Sequence, residues 1–112
     1  DGQGQHLVEK VVAKTQQLAS SDRIMYVVGA TQDAQIRALR ALAPDSFFLM
    51  PGIGAQGGSL TAAFDAAKTK EVGLIVNSSR GIIYASSRTD FAEVAAKEAQ
   101  SLQQQMQTLL YI

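Results

Sequence analysis

Cysteine is absent from the 112 residues, which excludes disulfides and thiolate-ligated metals and fits a reducing, cytoplasmic setting. Charge of one sign is lacking too. Ten Lys+Arg balance ten Asp+Glu, so no broad field draws nucleic acid or an anionic membrane, and neither is expected as a partner. Any anion must be held by a local site. His6 is the only histidine; near a chain end and without a partner in sequence, it reads as an exposed residue at a helix start, and no metal site is expected. Long apolar runs are missing as well: Ile24 to Val28 is far below the ~18 residues that suggest a membrane span. No signal peptide is legible in Asp1-Gly2-Gln3-Gly4-Gln5, and without an initiator Met the chain is expected to be cut from a longer one.

What is present is the composition of a globular protein, 46% hydrophobic and 18% charged. Leu7, Val8, Val11, Val12 and Leu18 recur at helical spacing between His6 and Ala19. Ser20-Ser21-Asp22 breaks that helix, and Ile24 to Val28 follows as an apolar run of the kind buried on both faces of a parallel sheet. Gln32 to Ala43 is helical again, with Ile36 and Leu39 inside, Arg37 and Arg40 outside, and Pro44 as the stop. Thr31 is expected to cap it. Phe47 to Met50 reads as a second strand, Ser59 as the cap of a helix with Leu60, Ala63, Phe64 and Ala67 on its inner face, and Val72 to Val76 as a third strand. Asp90 and Glu93 have capping-box spacing before a long last helix. The order α-β-α-β-α-β-α predicts an α/β fold with about three parallel strands and flanking helices. Residues 1–112 then form one segment, about half of a closed eight-stranded βα barrel, which typically takes ~250 residues.

Two strand-end loops carry the chemistry. Pro51-Gly52-Ile53-Gly54-Ala55-Gln56-Gly57-Gly58 places four glycines in eight positions between a strand and a helix. Backbone that approaches a ligand closely, followed by the free N–H groups of a helix start, suits a phosphate. Gln56 adds a neutral donor. The same residues match the loose G-x-G-x-x-G dinucleotide pattern, but that pattern calls for an acidic residue at the end of the next strand, where Asn77-Ser78-Ser79-Arg80 stands instead. In the second loop Arg80 can grip two phosphate oxygens in a fork, with Ser79 and Gly81 offering backbone donors. In βα barrels a phosphate commonly lies between the loops after the last two strands, and these are the last two strands of this chain.

Val27-Val28-Gly29-Ala30-Thr31, Phe48 to Gly58 and Asn77 to Ser86 together resemble orotidine 5'-phosphate decarboxylase, in the order and spacing of its sixth, seventh and eighth barrel strands and with the Asn-Ser-Ser-Arg form of its longer bacterial subgroup. The resemblance implies the C-terminal portion of a TIM (β/α)8 barrel. It also implies that Gln56, Ser79 and Arg80 hold the substrate phosphate, that Pro51 lines the pocket near the pyrimidine, and that orotidine or uridine monophosphate is the ligand. No cofactor is implied, and the further partners are the rest of the barrel and a second copy in a homodimer. The family's reaction centre is an Asp-x-Lys-x-x-Asp motif plus a further Lys, and no Asp-x-Lys occurs here, so no catalytic residue is expected in this segment. Asp65-Ala66-Ala67-Lys68 has the wrong spacing and reads as a solvated pair on a helix. The rival expectation is a free-standing phosphate- or nucleotide-binding module without catalysis. Its three-stranded sheet would leave apolar strands partly bare.

Overall fold

The computed structural model describes residue 4, residues 6–54 and residues 59–110. Its elements alternate as expected: α1 (Leu7–Leu18), β1 (Tyr26–Val27), α2 (Asp33–Leu42), β2 (Phe48–Met50), α3 (Leu60–Ala67), β3 (Leu74–Val76), then a short α4 (Arg80–Ile83) and a long α5 (Phe91–Leu110). The strands are parallel in the order β1-β2-β3, so each helical crossover advances the sheet by one position. Tyr26, Phe48 and Leu74 share one cross-strand row; Val27, Leu49 and Ile75 share the next.

Successive side chains on a strand point to opposite faces, and the two rows meet different surroundings. Phe48, Met50 and Leu74 are buried in one cluster with Val12 of α1, Ile36 and Leu39 of α2, and Leu60, Ala63 and Phe64 of α3. On the other face Val27 is 72% and Ile75 48% exposed. The strands are therefore apolar on both faces, as their composition predicts, while only one face is covered among the described residues. Helix α5 lays Leu102, Met106 and Leu109 against the core cluster.

Three local expectations need correction. The third strand begins at Leu74, not Val72, because Val72 and Gly73 both take positive φ (76° and 77°) behind the two-way Thr69–Val72 backbone bridge. Thr31 does not cap α2; the cap position is Gln32, without a side-chain hydrogen bond. The Asp90 carboxylate accepts a hydrogen bond from Ser86 Oγ at 2.6 Å, and no reciprocal capping box with Glu93 forms among the described residues. His6 is the exposed cap position of α1.

The largest correction concerns Arg40, which is not a solvated residue on the outside of α2. Its Nε donates to Ala67 O (2.6 Å), Nη1 to Ala43 O (2.9 Å) and Ser46 O (2.6 Å), and Nη2 to Gly73 O (2.8 Å). The guanidinium lies over the Phe48 ring, 3.8 Å from its centroid. Burial pulls its pKa below the ordinary arginine value while Asp45 opposes that shift, and the group stays charged. Arg37, by contrast, is exposed and pairs with Asp65 at 2.7 Å; Lys68 is 3.9 Å from the same carboxylate. The Arg37 hydrogen bond holds the Asp65 carboxyl below its usual range.

Arg40→Ala takes the side-chain donor from Ala43 O, Ser46 O and Ala67 O, while Gly73 O keeps Phe48 N–H, and is expected to lower unfolding free energy by about 2 to 5 kcal/mol. Arg40→Lys should recover less than half of that loss, because an ammonium cannot reproduce a planar fork. Urea unfolding followed by circular dichroism checks both; an unchanged midpoint for Arg40→Ala would mean that the tie carries no stability.

Candidate functional site

Parallel strands release their following loops at one end of the sheet, so the segments after β2 and β3 are neighbours by construction. The ladder extends into them: Asn77 N–H donates to Met50 O at 3.1 Å, and Ala30 N–H donates to Pro51 O at 3.1 Å. Gly52 and Gly54 both hold positive φ (94° and 80°), a conformation that side chains rarely adopt. Between them Ile53 is buried in the core, 5% exposed. An anchored apolar residue between two flexible-backbone positions fixes where this loop runs.

The second loop turns directly into α4. Ser79 O accepts from Ile82 N–H (3.2 Å) and Ile83 N–H (2.8 Å), and Asn77 Nδ2 donates to Ser79 Oγ at 3.3 Å. The backbone N–H groups of Ser79 and Arg80 have no carbonyl partner among the described residues, as at any helix start. Arg80 is exposed, and its guanidinium makes no ion pair or side-chain hydrogen bond with the described residues. The two loops are joined by Ser78 Oγ, which donates to Ile53 O at 3.4 Å.

Together they enclose a cleft of about 240 Å³ lined by Pro51, Gly52, Ile53, Asn77, Ser78, Ser79 and Arg80. Three of the four site residues expected from sequence, Pro51, Ser79 and Arg80, thus face one space. The fourth, Gln56, lies outside the described residues. Asn77 and Ser78 are additions to that set. The sequence carried a signal for them in the unbroken polar run after an apolar strand, though not for which of them faces the loop after β2. Among the described residues the lining of the cleft holds one uncommitted guanidinium, backbone donors and no carboxylate, a chemistry that suits an anion.

Helix α3 starts where the glycine loop ends, and its cap forms as expected: Ser59 Oγ accepts from Ala62 N–H at 3.3 Å. Ser59→Ala should cost about 0.5 to 2 kcal/mol of stability, measured by urea denaturation. A loss below the error of that measurement would mean that the loop exit does not depend on the cap.

No family model matches the chain. Among curated relatives it is 48% identical over 110 residues to the orotidine 5'-phosphate decarboxylase of Phocaeicola vulgatus, covering 98% of this chain and 40% of that protein. Against the enzyme of the same name from Bacteroides fragilis it is 47% identical over 106 residues, covering 95% and 39%. Of solved structures, OMP decarboxylase from Leishmania donovani superposes with a TM-score of 0.69 at 30% identity over 89% of this chain and 38% of that one. UMP synthase from the same organism gives 0.68 at 32% identity, over 89% of this chain and 22% of that one. The chain spans about 40% of the length of the curated relatives it matches.

Proposed function

The chain is homologous to orotidine 5'-phosphate decarboxylases and has the fold of part of their barrel, and from that premise we propose that it is the phosphate-gripping C-terminal segment of such an enzyme. The observation that carries the proposal is the cleft at the shared end of β2 and β3, where Pro51, Ser79 and Arg80 converge. Arg80 supplies the charge-assisted fork and Ser79 and Arg80 the backbone donors. Gln56, which lies outside the described residues, is assigned to the phosphate from the sequence alone, and Pro51 to the pyrimidine side. The ligand is orotidine or uridine monophosphate.

A phosphate held here is remote from the carbon that loses CO2. Such a handle speeds a reaction when its binding energy is used to close loops and orient the reacting group. The groups that act on the carboxylate belong to the Asp-x-Lys-x-x-Asp type of motif, which this chain does not contain. They come from the remaining strands of the barrel, which also cover the open sheet face bearing Val27 and Ile75. In the intact protein the unit is a homodimer in the cytoplasm. Among the described residues no helix is long and apolar enough to cross a membrane.

Titrating the isotope-labelled chain with inorganic phosphate is expected to move the amide signals of Ser79, Arg80 and Gly81. Arg80→Ala should weaken binding about 10- to 100-fold, the range for losing a charged hydrogen-bond donor. Shifts confined to the opposite end of the sheet, around Arg40, Lys68 and Lys70, would overturn the assignment.

The chain alone is expected to leave orotidine monophosphate unchanged, because positioning without groups that strengthen in the transition state does not lower the barrier. Mixed with the complementary N-terminal portion of the enzyme it should regain turnover, since reassociation covers the exposed strand edges. The assay is the loss of orotidine monophosphate absorbance. Turnover by the chain alone, with mass spectrometry excluding intact enzyme, would show that the catalytic groups lie within it.

A further inference from the structure

Ser78 is placed differently from its neighbours Asn77, Ser79 and Arg80. Its hydroxyl lies between the two loops of the cleft: it donates to Ile53 O at 3.4 Å, it is 4.0 Å from where a Cβ at Gly54 would stand, and it is 2.9 Å from where a Cβ at Gly81 would stand. It also forms the wall between the anion cleft and a second cavity of about 260 Å³ that reaches back to Glu98 and Leu102 of α5.

The 2.9 Å approach explains a glycine that backbone conformation does not. Gly81 is absent from the positive-φ glycines of the described residues and sits inside α4, where alanine would be the better helix former. What opposes a side chain there is the Ser78 hydroxyl. Real Cβ atoms do not come that close to another atom, so a residue larger than glycine must turn the Ser78 hydroxyl off Ile53 O or shift the first turn of α4.

We propose that Ser78 is a positioning residue: its hydroxyl, keyed into the space left by Gly81 and bonded to Ile53 O, sets the separation of the two phosphate-binding loops and so places Arg80. The proposal rests on the phosphate reading above. Ser78 need not touch the anion, and its effect runs through the position of Arg80.

The pairing predicts a rescue. With this chain and inorganic phosphate as the probe, Gly81→Ala should weaken phosphate affinity about tenfold through overpacking. Adding Ser78→Ala removes the obstructing oxygen, and the double variant should return to within about threefold of Ser78→Ala alone, since residues in contact are not additive. Amide hydrogen exchange at Ile83, whose N–H is held by Ser79 O at 2.8 Å, should follow the same order, fastest in Gly81→Ala and slowed to the Ser78→Ala level in the double variant. A double variant no better than Gly81→Ala in either readout overturns the proposal, as does a Gly81→Ala chain that binds and exchanges like the parent. If Gly81→Ala does not fold, a folded double variant is the same rescue and an unfolded one overturns it. If the parent chain binds no phosphate, the phosphate reading fails by itself, and the exchange pattern at Ile83 decides whether the Ser78–Gly81 contact exists.

Discussion

One guanidinium gathers the end of the sheet at which its strands begin. Arg40 reaches from the last turn of α2 to carbonyls at the end of α2, before β2, at the end of α3 and before β3. A parallel sheet has no hairpins to fix register, because every connection crosses over through a helix. Here the starts of β2 and β3 are tied by a side chain instead. Gly73 O is the clearest case: it accepts from Arg40 and from Phe48 N–H (3.0 Å), so one carbonyl joins the helix layer, β2 and the entry to β3. The Phe48 ring beneath the guanidinium adds a cation–π contact, 3.8 Å from the guanidinium carbon to the ring centroid. Tyr26 meets that ring edge-on with centroids 6.3 Å apart, and its hydroxyl lies 2.7 Å from Thr15 Oγ1, which brings β1 and α1 into the same assembly.

This arrangement separates two tasks along the strands. Where the strands begin, the polar backbone is saturated by a charged side chain already committed to four acceptors. Where they end, the donors at Ser79 and Arg80 have no partner among the described residues. The guanidinium at one end is spent on carbonyls inside the fold, and the one at the other makes no ion pair or side-chain hydrogen bond with the described residues. In βα barrels ligands meet the C-terminal ends of the strands while the opposite end serves stability, and Arg40 and Arg80 divide along that line. The sequence setting singles out Arg80, after a strand and a polar run, but only the fold shows that Arg40, within a helix, is the structural arginine.

That difference marks how far the sequence could be read. Helix positions followed from apolar spacing, and α1, α2 and α3 lie within a residue or two of where His6 to Ala19, Gln32 to Ala43 and Ser59 to Ala67 place them, because a 3.6-residue period is a local property. Both loops of the cleft were legible for the same reason: glycine density and an Arg after an apolar strand are local signals. Strand limits were less legible. Val72 belongs to an apolar run, yet its left-handed φ is imposed by the Thr69–Val72 bridge, which no propensity announces. Arg40 was missed because nothing in its own turn of helix reveals that three other segments aim carbonyls at it. Ser78 was missed because the keyed fit with Gly81 is a matter of tenths of an ångström. Gln56, the polar side chain of the glycine loop, lies outside the described residues and is carried by the sequence alone.

The open face of the sheet ties these points to the chain's place in a larger protein. Val27, Leu49 and Ile75 lie side by side across all three strands, and among the described residues β1 and β3 each present an edge with no neighbouring strand. A sheet built to stand alone places polar side chains on its bare face, as antiparallel sheets do; this one places aliphatic residues there. In a closed barrel such a face meets the interior and both edges are paired, which is the setting an apolar row of this kind suits. The anion cleft needs less: two adjacent strands, two loops and the contact between them suffice to form it. The proposed grip thus rests on local geometry alone, whereas the apolar face bearing Val27 and Ile75 is left open among the described residues.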